Sequence, residues 1–167
     1  MNEDTFWALI EQARTQAKGR DAALPDALSA LLRERKPDEI VAFQVAFEAR
    51  MREANLAPLW NAAHLMNKGT SEESFEHFRG WLIGQGRAVY EGARVDADRL
   101  ADVDVKRGKA LLDDLLFAAG TAYNERTGAT DFFDRIPKED QALEGLPFTR
   151  EEELKEKLPR LYAKFGK

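Results

Sequence analysis

Apolar residues recur every three to four positions along almost the whole of this chain, and no stretch alternates apolar with polar residues convincingly enough to predict a strand. That spacing matches the 3.6-residue turn of an α-helix, and a helix with an apolar stripe must bury it against another element. Hydrophobic residues make up 44% of the 167, enough for one core of ordinary size. The pattern therefore predicts an all-α protein, a single irregular helical bundle of about six to eight helices with a C-terminal helical arm. Residues 1–128 read as the bundle domain, 129–148 as an irregular connector, and 149–167 as a C-terminal helix packing on the bundle.

The stripes place the helices. Phe6, Leu9, Ile10, Ala13 and Ala17 predict a helix from Thr5 to Ala17, capped by Asp4 or Thr5 and stopped at Gly19. A second follows with Leu24, Leu28, Leu31 and Leu32, and a third opens at Pro37 with Ile40, Phe43, Phe47, Met51 and Ala54 on one face. The fourth starts near Leu56 or Pro58 and carries Leu59, Trp60, Ala63 and Met66. After a turn at Gly69, Thr70 and Glu73 form a capping-box pattern for a fifth helix extending as far as Arg94. Residues 96–104 read as a short helix or turn. A long sixth helix is expected from Lys106 to Arg126, ended by Gly128. Thr149 and Glu152 suggest another capping box, before a stripe of Leu154, Leu158, Leu161 and Phe165 kinked at Pro159.

Several function classes find no support. The net charge is −5, from 30 acidic and 25 basic residues that are well mixed, whereas nucleic-acid binders usually carry a basic stripe. The short "KRGK" at 106–109 is flanked by acids and reads as a solvated helix start. No apolar run approaches the roughly 18 residues of a membrane span, and the acidic, amphipathic start does not resemble a signal peptide. There is no cysteine, so no disulfide and no thiolate chemistry, and two histidines are too few for a zinc site without carboxylates. No metal site or cofactor is expected, and no phosphate-binding loop or hydrolase elbow occurs. The default location is the cytoplasm, and the oligomeric state is not encoded in any pattern found.

The least ordinary stretch is 74–90, "SFEHFRGWLIGQGRAVY". On a helix advancing roughly 100° per residue, Arg79 and Gln85 fall within or beside the apolar arc of Phe75, Phe78, Leu82 and Val89. A guanidinium there needs a carboxylate, carbonyl groups or an anionic ligand. Glycines at 80, 84 and 86 each cost about 1 kcal/mol relative to alanine inside a helix. Gly80 and Gly84 share one side and would admit a close neighbour, while Gly86 either continues the helix or breaks it at "IGQGR". Trp60 and His64 lie a turn apart on the preceding helix and, with Arg79 and Trp81, are candidates to line a pocket for a flat or anionic ligand. The plainer alternatives are a core arginine tied to a helix C-terminus and tryptophans that are simply packed.

Three blocks, "FWALIEQAR", "LWNAAHLMNKGTSEESFEHFRGWLIGQGRAVYEGA" and "DDLLFAAGTAYNERTG", resemble the bacterial family called domain of unknown function 4240. The resemblance spans most of residues 3–128, and "LPRLYAKFG" is similar to the ending of many members. Trp7, Trp60, Phe78, Arg79, Gly80, Trp81, Gln85, Gly86 and Tyr90 match its pattern, whereas Lys68 and Thr70 stand where members tend to carry small or different polar residues. The family implies no activity, so no catalytic residue follows from it.

The function expected from these features is a non-enzymatic binding module. It would recognise a protein partner or a small anionic ligand through a groove around residues 60–90, with Trp60, His64, Arg79, Trp81, Gln85 and Tyr90 as candidate contacts. The alternative is a small helical hydrolase or transferase acting on a phosphorylated or nucleotide-like substrate, with Arg79 as anion clamp and His64 as base.

Overall fold

Prolines and caps set most of the helix starts in the computed structural model, which describes residues 1–148 and 150–166. The helices are α1 (Glu3–Gln16), α2 (Leu24–Arg33), α3 (Pro37–Glu53), α4 (Ala57–Asn67), α5 (Glu72–Gly84), α6 (Arg87–Val95), α7 (Ala118–Thr127), α8 (Glu151–Lys157) and α9 (Pro159–Phe165). Pro25, Pro37, Pro58 and Pro159 each occupy a first turn, where the missing N–H costs nothing. The Asn2 side chain, rather than Asp4 or Thr5, caps α1 by accepting from Thr5 N at 2.8 Å. The box that opens α5 is Ser71 with Ser74, not Thr70 with Glu73: Ser74 N donates to Ser71 Oγ at 3.1 Å and Ser71 N to Ser74 Oγ at 2.8 Å. Of the cap expected at Thr149 and Glu152, Thr149 lies outside the described residues.

The fold is all-α. One isolated bridge between Leu56 and Glu144 is the sole β-type pairing among the described residues. No helix among the described residues is long and apolar enough to cross a membrane. The core is aromatic at its centre. Phe6 packs on Trp7 and Phe43, and Trp7 on Tyr90, with ring centroids 5.0–5.1 Å apart. Phe75, Phe78 and Trp81 continue the cluster along α5. The stripes read from the sequence are buried in α1 and α3, and Leu154, Leu158, Leu161 and Phe165 join the same core from the C-terminal arm.

The long helix expected from Lys106 to Arg126 does not form over its first half. Residues 103–112 run as irregular chain, Asp113–Phe117 makes a 3₁₀ turn, and only α7 is α-helical. The reason is competition for the backbone. Gly108 N donates to Met66 O at 2.8 Å, Leu112 N to His77 O at 3.0 Å, and Asn67 exchanges two hydrogen bonds with Ala110. With those groups spent on α4 and α5, a continuous i to i+4 ladder through this segment would have to give up these long-range bonds.

The irregular segment also explains two glycines. A Cβ on Gly80 would sit 3.1 Å from the Leu112 carbonyl oxygen, and one on Gly84 would meet Leu24 Cδ2 at 2.9 Å and Leu115 Cδ2 at 3.2 Å. The close neighbour is thus the 112–116 segment together with α2. Gly84→Leu is expected to lower the unfolding free energy by about 1–3 kcal/mol through overpacking. Urea denaturation checks this, and a raised melting temperature would contradict the close packing.

Candidate functional site

Gly86 takes φ 98° and ψ 169°, a conformation open essentially to glycine alone, and it ends α5 and redirects the chain into α6. The break leaves helix-end groups that α1 satisfies. Arg14 Nη1 donates to Gly84 O at 2.7 Å, placing a cation on the last carbonyl of α5. Glu11 accepts from Arg87 N at 3.3 Å, placing an anion on the first turn of α6. Between them Gln85 turns toward the α1–α2 connection, where both oxygens of Asp21 are occupied. Trp81 Nε1 donates to Oδ2 at 3.0 Å and Gln85 Nε2 to Oδ1 at 3.1 Å. Trp81 is fully buried, so its indole N–H needs that acceptor. The far side of α6 is fixed by Tyr90, whose hydroxyl donates to Arg50 O; burial and the nearby Glu53 push its pKa well above the usual tyrosine value.

This junction forms one wall of a cleft of about 550 Å³. Arg14, Asp21 and Gln85 stand on that wall, the exposed side of α6 at Ala88, Val89 and Gly92 makes the floor, and Arg99, Asp102 and Asp104 come from the opposite side. The opposite wall, residues 97–104, is held by the C-terminal arm. Buried Asp98 caps α9, accepting from Arg160 N at 3.1 Å and Leu161 N at 2.9 Å. Asp102 pairs with Arg160, and Lys164 Nζ donates to Ala101 O and Val103 O at 3.0 and 2.9 Å. Arg99 lies across α6 at Gly92, where an added methyl would come within 3.6 Å of its Nη1. Its guanidinium makes no hydrogen bond or ion pair among the described residues.

The six candidates read from the sequence divide among four places. Trp81 and Gln85 belong to the cleft wall through Asp21. Trp60 is half-buried and meets Phe75 edge-on at 5.1 Å, and Arg79 stacks on the other side of that cluster, 4.8 Å from the Phe75 centroid. The Arg79 Nη1 donates to Met51 O at 2.9 Å, near the C-terminus of α3, and burial lowers its pKa although Glu76 and Glu48 oppose the shift. Tyr90 is internal. His64 is exposed and lines a separate hollow with Lys68 and Tyr162. Arg14, Asp21, Arg99, Asp102 and Asp104 were not singled out by the sequence, where each reads as one more solvated charge. No group of three or more His, Asp or Glu side chains able to hold a metal ion occurs among the described residues.

Arg79 ties α5 to the end of α3 through a carbonyl and a ring, and makes no ion pair with a carboxylate among the described residues. Arg79→Met is therefore expected to cost about 1–3 kcal/mol, the range for one lost charged hydrogen bond that leaves a carbonyl unpaired. Chemical denaturation reads this directly, and a variant as stable as the parent would contradict it.

Comparison with known proteins gives one result. No curated protein and no solved structure matches the chain. Residues 1–125, which contain α1 to α6 and most of α7, match the family described as "Protein of unknown function (DUF4240)", and the chain belongs to that family.

Proposed function

We propose that the protein is a non-enzymatic binding module that holds a small ligand by its anionic group in the cleft beside the Gly86 break. One observation carries the reading: Arg99 lines the same cleft as Arg14, and its guanidinium makes no hydrogen bond or ion pair among the described residues. Unpaired surface arginines are common. What supports a site is that this one is laid over α6 by a glycine, in a space of about 550 Å³, inside the range of roughly 300–1,000 Å³ typical of small-molecule pockets. The lining offers guanidinium, carboxylate and amide groups, with no hydroxyl, thiol or imidazole to act as nucleophile or nitrogen base.

The reading moves the centre of the expected groove toward its C-terminal half. Trp81 and Gln85 act as supports that fix Asp21, and the ligand contacts come from Arg14, Arg99 and the α6 floor. An enzyme using Arg79 and His64 would need them to face one space. Arg79 is turned to Met51 O, and His64 lines its own exposed hollow, so the geometry favours binding. A cytoplasmic, bacterial setting belongs to the same proposal, and a cysteine-free sequence accommodates it.

A protein partner is the second reading, carried by Phe117 and Phe133. These residues are 58% and 43% exposed, and their rings pack edge-on at 6.3 Å, forming a small aromatic patch beside α7. It lies apart from the cleft lining.

The test is calorimetry and thermal shift with a panel of phosphate, sulfate and small carboxylates, on the parent and on Arg99→Ala. Because the Arg99 side chain makes no hydrogen bond or ion pair among the described residues, the unfolding free energy of the variant should lie within about 0.5 kcal/mol of the parent's. It should also bind at least tenfold more weakly any compound that stabilises the parent. Compounds that bind both proteins equally would overturn the assignment of the anion to Arg99.

A further inference from the structure

Resting on that reading, we infer that the cleft takes a small zwitterion of the amino-acid class, its carboxylate on Arg14 and Arg99 and its ammonium on Asp21. Arg14 and Asp21 are half-buried, carry opposite charges and flank Gln85 on the same wall, yet they form no ion pair with each other or with any other described residue.

Each is held by a neutral partner. Arg14 is anchored by the Gly84 carbonyl, and Asp21 by the indole of Trp81 and the amide of Gln85. Surface charges of opposite sign gain little by pairing and are ordinarily loose in water. These two are instead fixed in orientation by bonds to residues 81–85, the segment whose glycine break creates the wall. Arg14 has several N–H groups beyond the one spent on Gly84, and each Asp21 oxygen has a lone pair beyond the one it uses. A separated, pre-oriented cation and anion recognise a molecule carrying the complementary two charges at a fixed spacing, because the cost of orienting them is already met in the free protein.

The composition of the rest of the lining points the same way. Two guanidiniums and three carboxylates surround the space, and among the described residues only Asp102 of these is engaged in an ion pair, with Arg160. A ligand that is purely anionic would meet Arg14 and Arg99 but would also be repelled by Asp21 and Asp104. A purely cationic one meets the reverse. A zwitterion satisfies both sets, and the apolar floor of Ala88 and Val89 is left for its side chain.

The experiment uses the full chain and the twenty proteinogenic amino acids, each offered free, N-acetylated and as its carboxamide. Isothermal titration calorimetry is run at low ionic strength, with thermal shift as the screen. At least one free amino acid is expected to bind, and its N-acetyl and carboxamide forms to bind at least tenfold more weakly. Asp21→Asn should abolish the preference for the free amine, and Arg14→Gln should weaken the free form while leaving the protein folded, as judged by circular dichroism. N-acetyl amino acids or simple carboxylates binding as tightly as free amino acids would overturn the zwitterion while leaving an anion site at Arg99. Carboxamides binding as tightly would overturn the carboxylate assignment. If no member of the set binds in any form, while phosphate or sulfate does, the amino-acid class is wrong and the anion site stands. If nothing in either panel binds, both fail.

Discussion

One backbone angle shapes everything around the cleft. At φ 98° Gly86 stops α5 from running straight into α6, and a side chain there would strike the Glu11 carboxylate. Had the helix continued, the Gly84 carbonyl would have found its partner within the ladder, and Arg14 and Glu11 would have had no helix ends to attend. The break instead exposes an α5 C-terminus and an α6 N-terminus side by side. Residues of α1 answer each with the charge its dipole favours. Asp21 then fixes the two side chains that the turn presents, Trp81 and Gln85.

A second dependence links the cleft to a part of the chain outside the family match. The 97–104 wall is built on a 3₁₀ helix, Ala97–Asp102, capped by the Asp96 side chain, which accepts from Asp98 N at 3.1 Å. Its shape rests on Asp98, which spends both carboxylate oxygens on the first N–H groups of α9, and on Lys164, which closes two of its carbonyls. The C-terminal arm therefore contributes to the site without lining it. Family members sharing only the stretch equivalent to 1–125 would need another support for this wall.

Periodicity was sufficient for the fold class and for the buried faces of α1 and α3, because those faces follow from local spacing alone. It failed at 106–112, where apolar residues at helical intervals are held in irregular chain by the backbone of α4 and α5. Such partners are 40 residues or so away and leave no local trace. The site divides in the same way. Trp81 and Gln85 stood out because a polar side chain and a large indole among glycines conflict with a plain core helix, and the conflict marked a real break. Arg14, Asp21 and Arg99 obey every local rule for exposed positions, and their significance exists only once three distant segments meet.

The break itself is the claim on which the cleft, the Asp21 anchor and the proposed ligand all rest, and substitution of Gly86 by alanine tests it with opposite signs. In a continuous helix the change would stabilise the protein by about 1 kcal/mol, the ordinary propensity gain. At the observed angles alanine is strained, so the account expects a loss of about 1–3 kcal/mol in the free energy of unfolding by urea. An unchanged or increased stability of Gly86→Ala would contradict it.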